Sequence, residues 1–207
     1  MRNKLGTICM ILGVVLVAAA LALLTHNQTE AAQAEQASAE LLPALVEEIQ
    51  RSQNYQPQTP PPAPHTPPEL LEPEDLVMTE VELEGYSYIG YLSIPALELE
   101  LPIMADWDYD RLQIAPCRYT GTLKGEDLVL MAHNYPHHFG RLSELTQEDT
   151  VIFTDMDGNV TEYRVVVLDI LSPDAIEEMT AGDFDLTLFT CTYGGQSRVT
   201  VYCNKEN

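Results

Sequence analysis

A run of 20 residues near the start of the chain, LGTICMILGVVLVAAALALL at positions 5–24, contains no charged side chain. An α-helix rises about 1.5 Å per residue, so the run is about as long as the hydrocarbon core of a bilayer is thick. A cleaved signal peptide usually has a shorter apolar region, of roughly 7–15 residues, with its cleavage site directly after it. The A-x-A-like tripeptide here, at 32–34, lies well downstream. The run therefore predicts an uncleaved signal anchor embedded in the plasma membrane.

Charge on the two sides of this run predicts its orientation. Arg2 and Lys4 precede the run, and all 32 acidic residues of the chain follow it. The positive-inside tendency places residues 1–4 in the cytoplasm and the rest of the chain outside the cell. The net charge of −22 opposes binding to phosphate backbones, so nucleic acid is not expected as a partner.

Residues 25–78 are not expected to form a core. An Ala/Glu/Gln-rich stretch with helical character is followed by PQTPPPAPHTPPELLEPED at 57–75. Proline at this density favours polyproline II, a semi-rigid spacer of about 3 Å per residue. We expect a stalk over 25–78 and a folded domain over 79–207. A proline-rich ligand for a recognition domain is the alternative interpretation of the same segment.

The folded domain is predicted to consist mostly of β-strands. Short apolar or alternating segments separated by turn signals predict strands at 86–95, 97–104, 127–134, 150–155, 160–171, 185–192 and 198–204. Asp157-Gly158 is typical of a hairpin turn. Short helical turns are predicted at 108–114, 141–145 and 173–180, the last with Ser172 as its N-cap. Strands at this spacing favour a closed or nearly closed β-barrel.

The stretch LTLFTCTYGG at 186–195 carries the first candidate for chemistry. Alternation along a strand places Thr187, Phe189 and Cys191 on the face opposite the leucines. If the loop after Cys191 closes an antiparallel hairpin, Arg198 on the next strand shares the face of the thiol. A positive group near a thiol favours the reactive thiolate and can hold an oxyanion. A buried inert thiol and a solvated strand-edge arginine are the alternatives.

Nucleophilic cysteine chemistry also needs a proton carrier. The domain offers His133, His137 and His138, since His65 falls in the expected stalk. His133 ends the apolar strand LVLMA, where a side chain emerges at a barrel rim, whereas the other two follow Pro136 in a polar loop. No H-E-x-x-H motif is present, so no metal site is predicted for these histidines.

The order and spacing of His133, Cys191 and Arg198 resemble the pattern of the sortase family of Gram-positive cell-surface transpeptidases. TLFTC at 187–191 is similar to the family's TLxTC signature, Arg198 to its arginine at the start of the next strand, and His133 to its upstream histidine. The resemblance covers roughly 85–204 and implies an eight-stranded sortase β-barrel. By position, Cys191 resembles the nucleophile, His133 the general acid and base, and Arg198 the group that stabilises the oxyanion.

The resemblance also implies a reaction and its partners. A sortase cleaves surface proteins at a C-terminal sorting signal of the LPxTG kind, between threonine and glycine, through a thioacyl enzyme. The acyl group then passes to an amine of a peptidoglycan precursor, on the extracellular face of the membrane. The substrate groove is expected to include Thr187, Phe189, Thr190 and the segment 172–185. Ordinary barrel packing is the alternative for Phe189.

Departures from the family pattern favour an A-like or D-like class over class B or C. There is no second apolar span and no evident lid motif, and the 172–185 connection is short for class B. No cofactor is predicted. Calcium stays open, since acidic residues fall in loops where some sortases bind it: Glu126, Asp127, Asp174, Glu177, Glu178 and Asp183.

Three questions stay open at the level of sequence. Cys117 and Cys203 are either a disulfide or two free thiols. The enzyme alternative to a transpeptidase is a membrane-tethered thiol peptidase that only hydrolyses its substrate. The non-enzymatic alternative is a surface module that binds a partner while Cys191 is merely packed.

Overall fold

The computed structural model describes residues 2–54 and 77–206. The proline-rich segment at 57–75 lies outside the described residues, as does His65. The described chain begins with one long helix, α1 (Arg2–Asn54), and continues with the predicted β domain.

Nine strands and two short helices follow α1. The strands are β1 (Val81–Leu83), β2 (Tyr86–Ile94), β3 (Leu99–Met104), β4 (Cys117–Thr120), β5 (Leu128–Met131), β6 (Thr150–Asp155), β7 (Val160–Leu171), β8 (Leu186–Cys191) and β9 (Arg198–Lys205). The helices are α2 (Tyr109–Leu112) and α3 (Ile176–Met179), and single 3₁₀ turns lie at Pro95–Leu97 and Leu142–Glu144.

Eight of these strands form a closed barrel. Their order is β2-β3-β4-β5-β8-β9-β7-β6, and β6 pairs back with β2 to complete the ring. All neighbours are antiparallel except β3–β4 and β5–β8. The short strand β1 adds to the start of β2. The prediction of an eight-stranded β-barrel is confirmed.

Alternating residues fill the barrel, as the strand patterns predict. Leu186 and Leu188 of β8 and Val199, Val201 and Cys203 of β9 belong to the main buried cluster. The predicted hairpin at Asp157-Gly158 joins β6 to β7, and Gly158 has a φ of 80°, in the left-handed region that glycine adopts without steric cost.

Two strands and one cap differ from the predictions. The short strands β1 and β4 were not predicted, and β4 has an irregular register between Arg118 and Thr120. Ser172 does not cap α3, because Ala175 is the N-cap residue and the Ser172 hydroxyl instead donates to the Asp174 carboxylate.

The second half of α1 lies against the barrel. The buried residues of this half are Ala34, Leu41, Leu45 and Ile49. Leu41, Leu45 and Ile49 belong to a buried cluster with residues of the barrel domain: Tyr88, Met104, Leu112, Ala115, Cys117 and Met156. Residues 6–24 of the same helix are exposed on all sides. Over 34–49 the chain is therefore a docked helix, which differs from the expected stalk.

Residues just before and just after the segment 55–76 contact the same turn, the hairpin between β6 and β7. Ser52 Oγ donates to the Met156 carbonyl at 3.0 Å, and Gln53 Nε2 donates to the Gly158 carbonyl at 3.1 Å. Thr79 Oγ1 donates to the Asp157 carboxylate at 2.9 Å. The end of α1 and the residues just before β1 therefore both contact the β6–β7 hairpin.

Candidate active site

Cys191 and Arg198 are brought together by the hairpin of β8 and β9. Cys191 is the last residue of β8, Arg198 is the first of β9, and the antiparallel register pairs them directly. Gly194 and Gly195 turn the connection with φ of 85° and 72°. Opposed residues of antiparallel strands have Cβ atoms about 4.5–5.5 Å apart. Thiol and guanidinium therefore share one face at the same end of the barrel.

The Arg198 side chain is held by main-chain oxygen atoms. Its Nη1 donates to the carbonyls of Gly195 at 3.2 Å and Ser197 at 3.1 Å. Although the chain has a net charge of −22, Arg198 forms no ion pair with a carboxylate of residues 2–54 or 77–206. Its remaining nitrogen atoms can thus donate to an anion that forms beside Cys191.

His133 follows β5, the strand beside β8. Met131 of β5 lies opposite Phe189 of β8 in a parallel register. Ala132 continues the pairing, because its N–H donates to the Phe189 carbonyl at 3.3 Å and its carbonyl accepts from Thr190 Oγ1 at 2.8 Å. Carried two residues beyond Met131 and Phe189, this register leads us to expect His133 next to Cys191 on the same face.

The surroundings of His133 favour its neutral form. Burial lowers the pKa of His133 below its ordinary value, and the Glu30 carboxylate on α1 partly opposes this by raising the pKa. The imidazole packs against the Tyr135 ring, with ring centroids 5.0 Å apart. A neutral imidazole beside a thiol can accept the thiol proton and later return a proton to a leaving group.

The other two histidines have different surroundings. His137 is exposed and forms an ion pair with Glu35 of α1 at 3.2 Å. His138 is fully buried, and burial lowers its pKa to about 4. Of the three candidates, only His133 directly follows the residues that pair with β8.

An apolar cluster packs on the face of β8 that carries Cys191; three of its members are buried and the others are partly buried. We call it the outer apolar cluster, and it comprises Tyr119, Val129, Met131, Leu171, Met179 and Phe189. Phe189 lies two residues before Cys191 on the same face, and its ring meets Tyr119 edge to face at 5.4 Å. Tyr119 in turn lies 5.6 Å from Trp107.

The sequence interpretation singled out Phe189 but not the rest of this cluster. The alternation in LVLM, at 128–131, already places Val129 and Met131 on the face of His133 and was the available signal. Tyr119 lies on the unpredicted strand β4. Met179 comes from α3, within the 172–185 segment that was expected beside the groove.

The two threonines expected near substrate are placed differently. Thr187 shares the face of Phe189 but is only 4% exposed, opposite Tyr202 of β9. Thr190 lies on the other face from Cys191, is buried, and donates its hydroxyl to the Ala132 carbonyl. Thr190 thus joins β8 to the end of β5 and does not line the outer apolar cluster.

The remaining barrel cysteines are buried and free. Cys117 packs in the cluster beneath α1, and Cys203 lies in the barrel core. Burial raises the pKa of each thiol to about 12. Cys191, by contrast, is partly exposed. The open question of a Cys117–Cys203 disulfide is answered by two separate free thiols.

Two of the six acidic loop residues accept local hydrogen bonds. Asp127 accepts from the Thr122 N–H at 2.9 Å, and Asp174 accepts from Ser172. Within 2–54 and 77–206, no group of three or more His, Cys, Asp or Glu side chains is arranged to hold a metal ion.

Comparison with solved structures identifies the same fold in several proteins. Sortase C1 from Streptococcus suis is 27% identical with a TM-score of 0.52, over 58% of this chain and 73% of that chain. Sortase C from Clostridium perfringens SM101 is 24% identical with a TM-score of 0.53, over 81% and 90%. Sortase A from Corynebacterium diphtheriae is 23% identical with a TM-score of 0.52, over 59% of this chain and 62% of that one.

These relatives carry both class A and class C names, so the preference for an A-like or D-like class stays a prediction. The chain spans less than two thirds of the length of the C. diphtheriae protein. A sequence search of curated proteins finds no match. The family model for the sortase domain matches residues 92–206, more than half of the chain, from β2 through β9. On this match, and on a closed eight-stranded barrel shared with solved sortases, the chain belongs to the sortase family.

Proposed function

We propose that this sortase is a cysteine transpeptidase that cleaves LPxTG-like sorting signals between threonine and glycine and transfers the acyl group to a cell-wall amine. One observation carries the proposal: Cys191 is paired with Arg198 across β8 and β9, and His133 comes two residues after β5, the strand paired with β8. We infer that these three side chains of complementary chemistry meet at this end of the barrel.

The first half of the reaction forms a thioacyl enzyme. Cys191 Sγ attacks the threonine carbonyl carbon while His133, neutral in the resting enzyme, takes the thiol proton. Arg198 donates hydrogen bonds to the oxyanion that develops on the carbonyl oxygen. When the bond to glycine breaks, the His133 imidazolium gives its proton to the departing amine. Cys191 is left acylated through the threonine carbonyl.

The second half transfers the acyl group. An incoming amine attacks the thioester carbonyl, and His133, now neutral, takes a proton from the amine nitrogen. The amide bond forms, the C–S bond breaks, and Cys191 leaves as thiolate beside Arg198 and takes the proton from His133, which restores the resting enzyme. The acceptor in this proposal is an amine of a peptidoglycan precursor. Water in place of the amine gives hydrolysis.

The outer apolar cluster supplies the binding surface for the apolar part of the signal. Phe189 lies two residues from Cys191, and Tyr119 and Met179 border it. A leucine side chain and a proline ring of the substrate bury apolar area against such a surface, worth about 25 cal/mol per Å². We place Phe189 in the groove and leave out Thr190, whose hydroxyl is used within the barrel.

The apolar start of α1 supports the proposed location. Residues 6–24 form a continuous apolar helix with exposed side chains, long enough to cross a bilayer. We propose that residues 5–24 are a single-pass anchor with the N-terminus in the cytoplasm. The barrel then acts on surface proteins at the extracellular face of a Gram-positive-type bacterium.

The test uses the full chain in detergent micelles with quenched fluorescent peptides of the LPxTG type, with and without triglycine as the amine. Parent enzyme is expected to give ligated product with triglycine and slow hydrolysis without it. Cys191→Ala is expected to abolish turnover, and His133→Ala to lower kcat by about 10²- to 10⁴-fold. His137→Ala, in the same loop but exposed, is the matched control.

Other outcomes distinguish the alternatives. Cleavage that never yields ligated product identifies a hydrolytic thiol peptidase. Peptide binding without cleavage, unchanged in Cys191→Ala, identifies a binding module. Cys191 is partly exposed, whereas Cys117 and Cys203 in the barrel are fully buried, and this difference disfavours a merely packed thiol at Cys191.

A further inference from the structure

The face of α1 that lies on the barrel carries a buried hydroxyl at Ser38, which is 3% exposed. Its Oγ donates to the Ile114 carbonyl at 2.8 Å and lies 3.2 Å from Nε2 of the fully buried His138. A serine hydroxyl has a single hydrogen, and the Ile114 carbonyl takes it. The second bond therefore requires His138 Nε2–H as donor and Ser38 Oγ as acceptor.

His138 belongs to a compact loop, residues 133–140, that we call the histidine loop. The N–H groups of His138 and Gly140 donate to the Tyr135 carbonyl at 2.9 and 3.0 Å, and the Phe139 N–H donates to the His133 carbonyl at 3.3 Å. The Tyr135 ring contacts the rings of His133 and His138, with centroids 5.0 and 5.6 Å away. A displacement of His138 is thus transmitted to His133 through one ring and one backbone hydrogen bond.

The histidine loop packs against α1 and lines two clefts beside it. Tyr135 lines a cleft of about 570 Å³ on one side of the helix, and His137 lines a cleft of about 680 Å³ on the other. His137 also pairs with Glu35 at 3.2 Å. Glu35 and Ser38, three residues apart on α1, thus contact the neighbouring loop residues His137 and His138.

We propose that Ser38 is a positioning residue for the proton carrier, and that the docked half of α1 is a wall of the active site. The helix holds His138, His138 holds the histidine loop, and the loop keeps His133 beside Cys191. This proposal rests on the proposed catalytic role of His133. It assigns to the helix next to the membrane span a part in catalysis in addition to anchoring.

The alternative is that Ser38 only helps α1 to dock. Ser52 provides a comparison, because its exposed hydroxyl also connects α1 with the barrel: its single hydrogen is shared between the Met156 carbonyl at 3.0 Å and the Ile49 carbonyl of α1 at 2.8 Å. That contact lies at the β6–β7 hairpin, away from the histidine loop. Alanine is the best helix former, so both serine-to-alanine variants retain α1.

The experiment compares Ser38→Ala, Ser52→Ala and Ser38→Thr in the full chain in detergent micelles. Readouts are kcat and KM with an LPxTG-type peptide, and NMR titration of the histidine imidazoles. We expect Ser38→Ala to lower kcat about five- to tenfold with little change in KM, since the buried His138 imidazole loses its Ser38 partner and is left with its hydrogen bond to the Ala34 carbonyl. His133 loosens and its pKa moves up towards the ordinary value. Ser52→Ala changes neither readout, and Ser38→Thr, which keeps the hydroxyl, restores both.

An equal loss of kcat in Ser38→Ala and Ser52→Ala, or an unchanged His133 titration in Ser38→Ala, overturns the proposal. The NMR readout separates this outcome from failure of the proposed function. If His133→Ala remains active, His133 is not the proton carrier. The His133 titration in Ser38→Ala still reports whether Ser38 holds the loop.

Discussion

Cys191 faces Arg198 directly across the β8–β9 pair, one residue ending a strand and the other beginning the next. Backbone register fixes this relationship, and the guanidinium is steadied by the carbonyls of Gly195 and Ser197. The alignment of thiol and cation therefore exists before any substrate binds. Such preorganisation lowers the free energy of a charged transition state without a reorganisation cost at the moment of reaction.

Arg198→Lys is expected to lower kcat/KM about a hundredfold. An ammonium on a flexible stem cannot hold two loop carbonyls and also donate to an oxyanion from a fixed plane. Arg164→Lys is the matched control, because Arg164 pairs with Glu206 on the surface. Steady-state kinetics with an LPxTG-type peptide provides the measurement. A parental rate in Arg198→Lys removes the guanidinium from the mechanism.

Alkylation is expected to distinguish Cys191 from the other barrel cysteines. Cys117 and Cys203 are buried, with the pKa of each thiol raised to about 12, whereas Cys191 is partly exposed beside a cation. Iodoacetamide at pH 7.5 should modify Cys191 in the folded full chain carrying Cys9→Ala, and all three thiols after denaturation. Peptide mass mapping measures this. Equal labelling of Cys203 in the folded protein contradicts the assignment of a reactive thiol.

Acidification is expected to destabilise the fold through His138. Burial, then His133 and His137, lower the pKa of folded His138 to about 4 from an ordinary 6.5, with the Ala34 carbonyl opposing the change. Between these pH values the unfolded chain binds a proton that the folded chain does not. The free energy of unfolding therefore falls as pH falls from 6.5 towards 4, by at most about 3 kcal/mol.

The measurement is urea unfolding of the full chain in micelles at pH 7 and pH 5. His138→Gln should lose about 2 kcal/mol less than the parent between the two pH values. His137→Gln, at the exposed neighbour, should behave as the parent does. The same pH dependence in His138→Gln and the parent shows that His138 is not buried in its neutral form.

Met179→Ala is expected to raise KM for an LPxTG-type peptide about fivefold. Met179 is 3% exposed and packs against Phe189 and Val129, so its loss removes buried contacts that hold Phe189 in the proposed groove. Ile176→Ala on the same short helix is the control, because Ile176 is 47% exposed. Thermal unfolding is measured in parallel. An unchanged KM in Met179→Ala places the substrate elsewhere.

Strand alternation predicts much of the barrel and of the site. It separates Leu186 and Leu188 from Phe189 and Cys191, and it places His133 at the end of a strand. The order of strands around the ring does not follow from alternation. Parallel pairing of β5 with β8 puts Met131 opposite Phe189 across 58 residues of chain, a tertiary contact that no local pattern encodes, and the proposed approach of His133 to Cys191 depends on it.

Local sequence patterns did not predict the docked half of α1 or the two short strands β1 and β4. Ala34, Ser38, Leu41, Leu45 and Ile49 recur every three or four residues, the period of a buried helix face, but nearby polar residues and the proline-rich segment favour a stalk. β1 and β4 have three and four residues, too few for a period to be visible. Ser38 follows the same helical period, yet only the fold places it against His138.

Trapping the acyl enzyme tests the central claim most directly. The full chain is mixed with a peptide containing Leu-Pro-Ala-Thr-Gly, quenched in acid and analysed by intact mass and peptide mapping. The account predicts an adduct on Cys191 that ends at threonine, disappears when triglycine is added as ligated product forms, and is absent from Cys191→Ala. Ligated product from Cys191→Ala, or turnover with the adduct on another residue, contradicts the account.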